Sequence, residues 1–114
     1  MDEERLAPGL EVTAFLRRAE ALGGFGTVLG KGDDQRGSVL LAILERGAHV
    51  AFLERTLGPG GRYGWSTVGP ATSDSRALAQ YVAQRRRSDP DCWVVELDIP
   101  LSQRFIAETT GSTC

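Results

Sequence analysis

The sequence predicts a single α+β domain built on a mixed sheet, with its helices packed on one face. The order of elements points there: helix, three or four strands, helix, strand. So does the period of the apolar residues, which turns from helical to strand-like after Gly23-Gly24 and back again after Ser73. The length of 114 residues suits one domain. That domain is taken as residues 1–114, with an ordered core of about 10–108 and flexible ends.

Residues Met1 to Gly9 read as a lead-in closed by Pro8-Gly9. From Leu10 the residues Val12, Phe15, Leu16, Ala19 and Leu22 recur at spacings of three and four, which makes one apolar stripe of a helix. Glu11, Arg17, Arg18 and Glu20 fall largely outside it. Gly23-Gly24 supplies the stop. Phe25 to Leu29 is a short strand, and Gly32 to Gly37 is turn chemistry. Ser38 to Leu44 is nearly continuous apolar sequence, as a central strand covered on both faces would be. After a tight reversal at Glu45 to Ala48, His49 to Arg55 is a third strand. A turn at Gly58 to Gly61 leads to a possible outer strand, Arg62 to Thr67. Local evidence joins these strands as an antiparallel meander. Ser73 or Asp74 caps a second helix that buries Ala77, Leu78, Tyr81 and Val82. It ends in Gln84-Arg85-Arg86-Arg87, where cations suit the helix dipole, and Pro90 forbids continuation. Cys92 to Leu97 is the last strand, Ser102 to Glu108 a short helix, and Thr109 to Cys114 a frayed tail.

Composition narrows the function classes. The formal net charge is −2, with both signs interspersed. Nucleic-acid binding through bulk charge is therefore disfavoured, although a local basic patch is compatible with it. Lys31 is the only lysine among many arginines, as a GC-rich genome would produce. Two cysteines, Cys92 and Cys114, form no disulfide framework. Met1-Asp2-Glu3-Glu4 lacks the apolar stretch of a signal peptide, and the longest aliphatic run, Val39 to Leu44, is too short to span a bilayer. The expectation is a cytoplasmic protein without membrane contact.

Several residues could carry chemistry. His49 is the only histidine and stands near no nucleophile elbow, so it reads as a solvated strand-edge residue. One histidine and two distant cysteines supply no zinc set. Gly30-Lys31-Gly32 and Gly58-Pro59-Gly60-Gly61 lack phosphate-loop spacing and read as turns. Arg85, Arg86 and Arg87, with Arg17 and Arg18, could hold phosphates or an acidic partner; the plainer reading is a solvated helix end. Trp65 and Trp93 could stack on bases, but at strand positions they read as packing. Glu54 and Asp34 are candidate metal ligands, because nucleases gather carboxylates from neighbouring strands on one divalent ion that activates water. The residue after Glu54 is Arg55, not the helping lysine that often follows such a carboxylate.

Leu16-Arg17-Arg18, Gly23-Gly24-Phe25, Lys31-Gly32-Asp33, Phe52 to Arg55, Trp65 and, above all, the string from Ser88-Asp89-Pro90-Asp91 to Glu96 carry a resemblance. The sequence resembles a small family of alphaproteobacterial proteins of unknown function, over about residues 10–98. The resemblance implies a bacterial cytoplasmic protein and no particular activity. The order of elements is also similar to the core of restriction-endonuclease-like nucleases, with Gly37 to Ile43 and Val50 to Glu54 as its second and third strands. In that likeness the second strand's Asp has no counterpart near Leu40, and Glu54 alone matches the third strand's Glu-x-Lys.

Two functional expectations follow. The first is a non-catalytic accessory or interaction protein that needs no cofactor, binds a protein partner through Arg85, Arg86, Arg87, Arg55 and Trp65, and is a monomer or a homodimer. The second is a Mg²⁺- or Mn²⁺-dependent nuclease, or a degenerate relative, with Glu54 and Asp34 on the metal and Arg55 or Lys31 on the phosphate.

Overall fold

The computed structural model describes residues 6–111. Helix α1, Pro8–Ala21, is followed by strands β1, Phe25–Gly30; β2, Val39–Glu45; β3, Ala48–Leu57; and β4, Tyr63–Val68. Helix α2, Ser75–Ser88, strand β5, Trp93–Asp98, and helix α3, Ser102–Thr110, complete the chain. The class is α+β with a mixed five-stranded sheet in the order β1-β5-β2-β3-β4. Among the described residues, no helix is long and apolar enough to cross a membrane.

The meander comprises β2, β3 and β4 only. Strand β5 inserts between β1 and β2, antiparallel to β1 and parallel to β2. The expectation that all the early strands run on as neighbours is corrected here: Val39, Leu41 and Ile43 pair with Trp93, Val95 and Leu97 from a distant part of the chain. Both strands bury apolar side chains on both faces, as strands inside a sheet covered on both sides do.

The helices do not share one face, which also corrects the expectation. On one side Val39, Leu41, Ile43, Leu53, Val95 and Leu97 pack against Val12, Phe15 and Ala19 of α1 and Phe105 and Ile106 of α3. On the other, Leu40, Ala42, Phe52 and Val94 meet Leu78, Tyr81 and Val82 of α2. The cause is the two-residue period of a strand: a run apolar at every position must be covered twice.

Local chemistry sets the element ends. Pro8 is the first residue of α1, not part of a lead-in, because its missing N–H would be unsatisfied there anyway. Gly23 takes φ +91° after α1. Gly23 N–H then donates to Glu20 O and Gly24 N–H to Ala19 O, satisfying the last carbonyls. Asp74 caps α2 by accepting from Arg76 N–H. No side chain of its own cap serves α3. Glu45 reaches across from β2 instead and accepts from Ser102 N–H at 3.1 Å and Ser102 Oγ at 2.6 Å. Helix α3 runs on through Thr109 and Thr110, where the sequence predicts a frayed tail. The expectations for Met1 to Glu4 and for Cys114 lie outside the described residues.

Candidate functional site

Glu54 and Arg55 are neighbours near the end of β3, so their side chains leave the sheet on opposite faces. On the α2 face, Arg85 Nη2 lies 2.5 Å from Glu54 Oε2, with each side chain about one-fifth exposed. The same guanidinium nitrogen approaches Ser38 Oγ at 3.4 Å and Cys92 Sγ at 3.6 Å. Ser38 Oγ in turn donates to Asp89 Oδ2 at 2.9 Å. Burial pushes the Glu54 carboxyl above its ordinary range and Asp89 adds to this, while Arg85 opposes it.

On the α1 face, Arg55 grips Glu11 in two places, Nη1 to Oε1 at 2.8 Å and Nη2 to Oε2 at 2.5 Å. Its guanidinium lies 4.8 Å from the centre of the Trp65 ring, and Trp65 stands edge-on to Phe15 at 5.4 Å. Glu11 sits in the first turn of α1, where the helix dipole favours a carboxylate. It is 8% exposed and shares the spacing of Phe15 and Ala19, so it belongs to the buried stripe and not outside it. Between these two ion pairs lies a cleft of about 600 Å³, walled by Glu11, Arg36, Ser38, Glu54, Arg55 and Trp65, with Tyr63 at its margin.

The loop that carries Arg36 and Ser38 is fixed by the string most diagnostic in the sequence. Asp91 O accepts from Asp33 N–H at 3.0 Å. A β-carbon on Gly32 or Gly37 would lie 2.1 Å from that same oxygen, so only glycine lets both backbones close on it. Trp93 Nε1 donates to Asp33 O at 2.8 Å. Backbone N–H groups of Arg36 and Gln35 donate to the Asp33 carboxylate and lower its pKa. The string from Ser88 to Glu96 thus acts as a structural knot beside the cleft.

The other sequence candidates fall in different places. Asp34 faces the start of α1, its Oδ1 2.9 Å from where a β-carbon on Gly9 would be. Glu54 sits beside Arg85, and the cation it holds is a guanidinium. Among the described residues, no three His, Cys, Asp or Glu side chains gather as a metal site. The arginine run divides: Arg85 is tied to Glu54, and Arg86 Nη1 donates to Lys31 O at 3.3 Å and Cys92 O at 3.2 Å. Arg87 alone of the three is exposed. Arg17 and Arg18 belong to α1 across the sheet, and Arg18 pairs with Glu108, so the five arginines form no single patch. His49 is only partly solvated: its ring lies 4.5 Å from that of Phe52, and its Nε2 is buried without a partner among the described residues.

Sequence reasoning missed Glu11, Arg36 and Ser38. The period of α1 could have found Glu11; only the fold brings Arg36 and Ser38 to the cleft.

The sequence matches the family described as "Protein of unknown function (DUF1491)" over residues 6–107. Two solved structures of a DUF1491 family protein from Caulobacter crescentus CB15 are similar to this chain. The NMR structure is 30% identical with a TM-score of 0.75, covering 90% of this chain and 94% of that one. The crystal structure is 32% identical with a TM-score of 0.71, covering 81% and 86%. Protein Atu0922 from A. tumefaciens shares the fold at 24% identity and a TM-score of 0.70, over 85% of this chain and 88% of that one. No curated protein matches the chain. The likeness to restriction-endonuclease-like nucleases finds no support in these comparisons. By sequence match and by fold, the chain belongs to the DUF1491 family, whose function is unknown.

Proposed function

We propose that this protein is a non-catalytic interaction domain that receives an acidic segment of a protein partner in the cleft between β3, β4 and the start of α1. The observation that carries this reading is the state of the cleft's charges. Glu11 is held by Arg55 and Glu54 by Arg85. Ser38 is committed to Asp89. These groups brace the fold, and none stands ready as a general base or nucleophile, which would need a free partner and access to substrate. Arg36 is the cleft's cation outside a direct ion pair among the described residues: it is exposed and lines the cleft, and its charge acts only at longer range on Asp33. Trp65 and Tyr63 add aromatic walls, a composition suited to binding.

This shifts the contact surface from the arginine run to Arg36, Arg55 and Trp65, with Arg85 and Arg86 as its scaffold. Titration calorimetry with a blocked hexaglutamate peptide tests the reading. Binding should weaken as salt rises and be lost in Arg36→Glu, while Arg87→Glu leaves it intact. Equal binding by Arg36→Glu and wild type would contradict it.

A further inference from the structure

Strand β4 ends the sheet. Among the described residues, the backbone from Gly64 to Val68 makes no hydrogen bond beyond its ladder with β3. Open edges attract foreign strands, and proteins shield them with charges, proline, bulges or a covering element. The opposite edge is shielded: β1 carries a bulge between Val28 and Gly30, and the Arg86 guanidinium lies across Gly30. Strand β4, with the sequence Tyr63-Gly64-Trp65-Ser66-Thr67-Val68, has no charge and no proline and pairs with β3 in unbroken register.

Two depressions follow one another along this strand, beside α3. One, of about 370 Å³, is bounded by Trp65, Thr67, Ile106 and Thr110. The next, of about 310 Å³, is bounded by Thr67, Pro70, Val50 and Ile106. Among the described residues, no charged one lines either. The first is bordered by residues 65–67 of the chain and the second by 67–71, so an extended strand, with alternate side chains about 6.8 Å apart, would pass them in succession. Trp65 borders both the first depression and the cleft.

We propose that β4 takes up an extended segment of a protein partner as an added strand, with uncharged side chains at alternate positions entering the two depressions. This deepens the interaction reading and rests on it. Main-chain pairing would supply affinity and the depressions specificity. A second copy of this chain fits less well, because its own Trp65, the largest side chain of the strand, is already packed on Phe15 and Arg55 and is not available to fill a depression.

The test selects binders from a random linear peptide library displayed on phage, with purified protein as bait. The best peptide is then synthesised with alternate backbone nitrogens methylated, in each of the two alternations. Methylation on the edge facing β4 should weaken binding by about tenfold or more, and methylation on the other edge should change it little. Because the protein is unaltered, no folding defect enters. Equal tolerance of both alternations overturns strand addition; if that binding is still lost in Arg36→Glu, the interaction reading survives alone. Recovery of no peptide overturns the proposal, and absence of hexaglutamate binding as well would remove both readings. A protein that sediments as a dimer with β4 amides already protected from exchange also overturns it.

Discussion

At the scale of single residues, the two ion pairs of the cleft differ from the usual surface pair. Glu11 keeps 11% of its side chain exposed and Arg55 keeps 25%, so each has given up most of its hydration for the other. Removing Arg55 strands a buried carboxylate and strips the cation from Trp65. Arg55→Ala should cost about 2 kcal/mol in urea unfolding, and Glu11→Ala less, since the longer arginine can reach water. Equal and negligible losses would show the pair to be ornamental. His49 makes a second residue-scale prediction. Burial holds its imidazole below the usual 6.5, so the unfolded chain takes up the proton first. Its contribution to stability is intact above that value and is lost as pH falls through it toward the folded-state value. Between pH 7 and about 5.5, wild type should lose stability more steeply than His49→Leu; parallel curves would rule the effect out.

At the scale of elements, α2 is the weakest-seated helix. None of its residues is fully buried, whereas α1 buries Val12, Phe15 and Ala19. Arg85 and Arg86 compensate by tying its last turns to Glu54 on β3, to Cys92 at the head of β5, and to the loop after β1. Arg86→Ala should therefore speed amide exchange in the last turns of α2 by roughly tenfold while β2 and β5 stay protected. Uniform acceleration across the sheet would mean that α2 opens only with the whole domain. The helix itself was legible in the sequence, from its cap at Asp74 to Pro90. The role of its arginines was not. A cationic helix end looks the same whether it faces water or buried carbonyls, and the carbonyls of Lys31 and Cys92 are placed by the sheet.

At the scale of the whole molecule, periodicity revealed the class, the elements and the central position of β2, because each follows from local pattern. The strand order was hidden. Parallel pairing of β2 with β5 joins residues far apart in sequence, and no turn signal marks it. The same pairing decides that α1 and α3 share one face while α2 takes the other, and it brings Ser38 of the loop before β2, Glu54 of β3 and Arg85 of α2 together. The site was thus legible as a set of residue types around Glu54, Arg55 and Trp65. The pairing of Glu11 with Arg55 and of Glu54 with Arg85, with Arg36 outside a direct ion pair among the described residues, became visible only with the fold. The two tryptophans report on this directly: Trp65 walls the cleft, while Trp93 is locked to Asp33 O beneath the loop. The decisive measurement follows the two indole N–H resonances of ¹⁵N-labelled protein as the hexaglutamate peptide is added. The account predicts that the Trp65 signal shifts with saturation while that of Trp93 stays in place. A Trp65 signal unmoved at peptide concentrations that shift Arg87 or the α1 surface would contradict it.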